Sequence, residues 1–111
     1  MDDRQREIVS ERLEAELAET MAELDRLEKK VQVEVEHGLG EGDPSIYERE
    51  INMALRRRAR RKVKSMQEAL HRFEEGTYGI CERCGTEISA QRLEALPQAQ
   101  LCIQCAQQAG R

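Results

Sequence analysis

The chain has 111 residues and a formal net charge of −4; 36% of its residues are charged, 39% hydrophobic and 3% aromatic. So little apolar and aromatic material excludes a conventional globular core of this length and suits long helices that each bury one narrow stripe. No run of about 18 apolar residues exists to span a membrane, and the acidic start MDDRQRE is unlike a signal peptide, so a soluble cytoplasmic protein is expected.

Residues 3–36 contain neither Gly nor Pro. Val9, Leu13, Leu17, Met21, Leu24, Leu27 and Val31 recur at steps of four and three, the mark of a narrow helical stripe. A helix of that length would be about 50 Å long. The stretch HGLGEGDPSI follows, with three glycines and a proline. A second helix is expected from Asp43-Pro44, where Asp43 can cap, Pro44 suits the first helical position, and Ser45 stands three before Glu48. Its stripe is Ile51, Leu55, Ala59, Val63, Met66, Leu70 and Phe73, and Gly76 can end it after Glu75.

Antiparallel pairing matches Leu27 with Ile51, Leu24 with Leu55, Met21 with Ala59, Leu17 with Val63, Leu13 with Met66 and Val9 with Leu70. The two numbers in each pair add to 78–80, as one regular hairpin requires. Residues 1–75 are therefore read as an antiparallel coiled-coil hairpin with its tip at 37–44, and the chain as a monomer. The rival, in which each helix seeks a partner in another chain, does not explain the constant sum. Charge supports the pairing: residues 1–37 carry a net −6 and residues 44–75 a net +4.

The run RRRARRKVK places Arg56, Arg57, Arg58, Arg60, Arg61, Lys62 and Lys64 on the second helix, leaving Ala59 and Val63 for the core. Two readings stay open: a solvated face weakly paired with the acids of the first helix, or a docking surface for an acidic protein or a phosphate.

Residues 76–111 hold the most specific motif, Cys81-x2-Cys84 and Cys102-x2-Cys105 separated by 17 residues. Two close cysteine pairs at this spacing can wrap one Zn2+ tetrahedrally. Four thiolates close the coordination shell, so the metal is structural and activates no water. His71 and His37 lie outside this set, and Phe73 and Tyr78 are expected to pack the neck before the finger. No nucleophile–base set or phosphate loop is present, so an enzyme is not expected. The fold class is mainly α: a long helical hairpin, then a small C4 zinc finger with a short C-terminal helix.

The stretch YGICERCGTEISAQRLEALPQAQLCIQC, residues 78–105, closely resembles the C4-type zinc finger of the DksA/TraR family. The resemblance implies a transcription regulator that binds RNA polymerase through its secondary channel, with the hairpin tip reaching toward the catalytic centre, and that reads no DNA sequence. It implies tip action for Asp43, assisted by Glu41, although Ile46 and Glu48 stand where the best-known tip carries Asp and Ala. It aligns Arg58 with a basic family position, and Arg56 to Lys64 become the contact belt. Family positions that help bind guanosine tetraphosphate fall on Ser65, Leu96 and Ala106, none of them basic, so that nucleotide is not expected as a ligand. Alternatives outside the resemblance are a zinc-dependent nucleic-acid binder using the basic belt and a protein-interaction adaptor. The neutral finger, the acidic first helix and the shortage of stacking aromatics weigh against the first.

Overall fold

The computed structural model describes residues 2–36 and 44–110. Four helices occur among them: α1 (Asp3–Glu36), α2 (Pro44–Glu75), α3 (Ala90–Ala95) and α4 (Ile103–Ala109). The predicted hairpin helices appear with their predicted bounds. Most of the expected tip, including His37, Glu41 and the Asp43 cap, lies outside the described residues. α1 begins with a feature that the sequence reading missed. The Gln5 amide donates to Asp2 Oδ1 at 2.8 Å and the Asp2 amide donates to Gln5 Oε1 at 3.1 Å, a reciprocal capping box. At the end of α2, Gly76 takes φ 76° and the Thr77 amide returns to the Arg72 carbonyl at 2.9 Å. A left-handed glycine thus stops the helix as expected.

By contact, the chain divides into two compact units, Met1–Glu16 with Ser65–Arg111, and Leu17–Lys64. The division runs through both long helices, so the ends of α1 and α2 group with the cysteine-rich region.

In the Leu17–Lys64 unit, α1 and α2 run antiparallel. Glu28 pairs with Arg60 at 2.8 Å, Lys30 with Glu48 at 3.7 Å, and the Asn52 amide donates to Glu34 at 2.8 Å. Leu27, Val31 and Ala59 are buried on the seam as expected. Three expected seam residues are not: Met21, Ile51 and Leu55 are 49%, 43% and 40% exposed, while Thr20 and Asn52 are buried and Arg56 half-buried. The reason is geometric. Each step of four overshoots a 3.6-residue turn by about 40°. Ile51, Leu55, Ala59 and Val63 take three such steps in succession, so Ile51 drifts off the face that Ala59 and Val63 share. The observed seam, Arg49, Asn52, Arg56, Ala59 and Val63, alternates steps of three and four and stays on one side. Its outer half is polar.

In the other unit, the first turns of α1 and the last turns of α2 pack with α3, α4 and their loops. Leu13, Met66 and Ala69 are fully buried, and Tyr78, Ile88 and Leu93 nearly so. Arg12 donates to the Glu94 carbonyl at 2.9 Å, and Gln100 donates to Glu68. These bonds tie α1 to the end of α3 and α2 to the loop before α4.

Candidate metal centre and its neck

Two loops deliver the four cysteines. The first is a knuckle at Cys81–Cys84. Its turn closes through the Gly85 amide on the Cys81 carbonyl at 3.0 Å and the Cys81 amide on the Thr86 carbonyl at 2.8 Å. Gly85 takes φ 75°, a left-handed backbone that side chains resist. An isolated antiparallel bridge between Ile80 and Glu87 holds the knuckle's base. The second loop runs into α4, where Cys102 is the N-cap and its sulfur accepts from the Cys105 amide at 3.5 Å. The Glu82 amide, donating to the Gln100 carbonyl at 3.0 Å, binds the loops together.

The four sulfurs lie within 4.8 Å of one another, and Cys84 and Cys102 stand 3.7 Å apart. Cys81 and Cys105 are buried and Cys84 is exposed. Backbone amides of Cys102 and Cys84 aimed at the Cys81 sulfur pull its pKa down to about 6. The neighbouring Cys102 sulfur and burial push Cys105 up to about 12. Cys84 is lowered, chiefly by Thr86, whose hydroxyl lies 2.9 Å from its sulfur. A close, soft, four-sulfur set with amides turned toward the sulfurs fits one tetrahedral Zn2+. With all four positions taken by protein, the ion would staple the fold. Thr86 is an outer-sphere partner that the cysteine spacing did not reveal.

The neck is built as expected and fastened by bonds the sequence did not announce. Phe73 and Tyr78 stack at 3.9 Å between ring centres, 15° from parallel. The Tyr78 hydroxyl donates to the Pro97 carbonyl at 2.8 Å. Burial raises the Tyr78 pKa, with the Arg72 and Arg12 charges opposing, so the hydroxyl keeps the proton it donates. Arg92 Nε donates to the Leu101 carbonyl at 2.9 Å and locks α3 to the second cysteine loop. His71 is a surface residue beside Glu75, at 2.8 Å, and outside the cysteine cluster.

The other residues singled out from the sequence fall in three places. Glu41 and Asp43 lie outside the described residues. Of the basic run, Arg60 pairs with Glu28, and Arg56 sits half-buried on the seam, its Nε without a hydrogen-bond partner among the described residues. Arg57, Arg58, Arg61, Lys62 and Lys64 are exposed and make no ion pair among the described residues. The sequence reading left only Ala59 and Val63 of this run to the core; Arg56 also belongs to the seam, one turn before Ala59. Ser65, Leu96 and Ala106 do come together, lining a groove of about 280 Å³ with Arg92, Gln98 and Gln100. Arg92 is the cation there, and its Nε is already committed to Leu101.

Fold and site together define a helical-hairpin protein carrying a C4 zinc finger with one structural zinc. Residues 76–109 match the family model of the prokaryotic dksA/traR C4-type zinc finger. The RNA polymerase-binding transcription factor DksA of Escherichia coli K12 is 37% identical over 95 residues, covering 84% of this chain and 63% of that protein. Its namesake from Salmonella typhimurium matches to the same extent, so the chain spans under two thirds of the length of these relatives. The solved structure of transcription factor DksA2 from Pseudomonas aeruginosa superposes with a TM-score of 0.80 at 25% identity, covering 98% of this chain and 85% of that one. Residues 76–109 thus carry a C4 zinc finger of the dksA/traR type, and the chain as a whole shares the fold of DksA2.

Proposed function

We propose that this protein is a cytoplasmic transcription regulator that binds RNA polymerase through the secondary channel and modulates initiation without reading DNA sequence. The observation that carries the reading is the joint presence of a DksA/TraR finger and a helical hairpin with a basic outer surface, in a chain whose relatives are named for polymerase binding. In this reading the protein acts as a monomer and catalyses no reaction. Zinc sets the finger and neck. Arg57, Arg58, Arg60, Arg61, Lys62 and Lys64 supply the electrostatic grip, with Arg56 behind them on the seam. Asp43, with Glu41, supplies the acid at the tip. The groove of Ser65, Leu96 and Ala106 takes no guanosine tetraphosphate, because those three positions offer no cation.

The test is competition on purified bacterial RNA polymerase against a known secondary-channel ligand. Displacement at micromolar concentration supports the reading, and absence of binding at that concentration overturns it. DNA or RNA affinity that falls steeply with salt would favour the nucleic-acid alternative instead.

A further inference from the structure

On α2 the amphipathic pattern of the Leu17–Lys64 unit is inverted. The seam side carries Arg49, Asn52 and Arg56, while Tyr47, Ile51 and Leu55 point outward, Tyr47 being 72% exposed. Their spacing continues in phase with Arg58 and Lys62. The steps of four, four, three and four keep all five residues within an arc of about 80°, along about 22 Å of helix. Arg58 and Lys62 are exposed and have no ion-pair partner among the described residues. An apolar row that runs into unspent cations on one helix face is a composite surface.

We infer that this stripe, Tyr47, Ile51, Leu55, Arg58 and Lys62, docks on a protein wall that presents apolar side chains beside carboxylates. Three arguments select that occupant. A second copy bound on the same stripe would bring cations and no carboxylate against Arg58 and Lys62; the three apolar side chains expose roughly 300 Å² together, short of the about 800 Å² per partner of a stable interface, so the stripe is one part of a wider contact. Ile and Leu offer no stacking surface to bases, and Tyr47 is the one aromatic of the row, so nucleic acid has little to grip. The cations require a complementary charge, which an acidic protein surface provides. The inference rests on the polymerase reading, which makes the wall part of RNA polymerase, and deepens it by assigning the side of the hairpin that faces that wall.

Ile51 and Leu55 lie off the seam but are only 43% and 40% exposed, so thermal unfolding of each variant accompanies the binding measurement. The experiment labels the full-length, zinc-loaded chain and measures its affinity for purified bacterial RNA polymerase. Ile51→Gln with Leu55→Gln should weaken binding roughly tenfold or more, and Arg58→Gln with Lys62→Gln should weaken it and flatten its salt dependence. Val33→Gln with Val35→Gln, two exposed apolar losses on α1, should change affinity less than twofold. A benzophenone side chain at position 51 should cross-link to a polymerase subunit and one at position 33 should not. Wild-type binding that the Ile51→Gln/Leu55→Gln variant matches within twofold overturns the stripe alone. Absence of wild-type binding overturns the polymerase reading and the stripe with it.

Discussion

Asn52 donates a 2.8 Å hydrogen bond to Glu34 across the hairpin seam, one residue away from the isoleucine that apolar spacing alone assigns to that seam. Asn52 is 5% exposed, and the second Glu34 oxygen is buried without a hydrogen-bond partner among the described residues. A polar seam pair contributes little net stability, but it penalises any register that separates its members.

Asn52→Leu should therefore destabilise the protein by about 1–3 kcal/mol, because it removes the donor from a half-buried carboxylate whose other oxygen is already buried without one. Replacing both members, Asn52→Leu with Glu34→Leu, should recover most of that loss or exceed the wild type. Urea unfolding followed by circular dichroism measures both. A double variant less stable than Asn52→Leu would refute the assignment of the cost to an orphaned carboxylate.

Zinc removal should unfold the finger region and spare helical structure elsewhere, since four thiolates hold loops with few large apolar residues. A chelator should abolish the α3 and α4 contribution to helicity, and Cys84→Ser should lower zinc affinity by at least about tenfold. Hydrogen exchange resolved by peptide would locate the change.

The thiol environment sets a pH dependence for the folded finger, in which protons compete with zinc for the sulfurs. Cys81 is depressed from its ordinary 9.0 to about 6, so its thiolate contributes stability above pH 9 that is lost as pH falls through about 6. Cys105, raised to about 12, contributes in the opposite sense: its share is full below pH 9 and is lost as pH rises through about 12. Proton competition also weakens zinc binding on acidification. Zinc retention measured from pH 8 to 5 should fall as protons displace the metal from the sulfurs, and retention unchanged across that range would refute proton competition.

Tyr78→Phe keeps the ring stacked on Phe73 but removes the bond to the Pro97 carbonyl. It should cost about 1 kcal/mol, whereas Tyr78→Ala should cost about 3–5 kcal/mol through the cavity it opens. Thermal unfolding of the zinc-loaded variants distinguishes them.

Gly79→Ala should destabilise the neck by about 1–2 kcal/mol. Gly79 takes φ 84°, and a Cβ there would meet Leu93 Cδ1 at 3.4 Å, an ordinary contact. The cost is therefore backbone strain, and Gly79→Asn should recover part of it because Asn tolerates the left-handed region better. Equal losses for Ala and Asn in thermal unfolding would count against strain as the cause.

The readable features shared a local cause. Helix bounds at Asp3–Glu36 and Pro44–Glu75 followed from the absence of Gly and Pro within them, from Pro44 at a first turn and from Gly76 at an end. The cysteine spacing announced the metal centre, because two short knuckles can be recognised wherever they lie. Phe73 and Tyr78 were legible as neck residues by position, but the Pro97 partner was not, because nothing in a sequence names the carbonyl that a hydroxyl will reach.

Local chemistry in the chain determined where helices start and stop and which four sulfurs gather. Tertiary structure alone decided which residues face each other. Small angular drifts accumulate along a helix, so several steps of four carried Ile51 and Leu55 out of the seam and put Asn52 and Arg56 in their place. That choice depends on the whole length of both helices packing at once, and it leaves Tyr47, Ile51 and Leu55 on the outside.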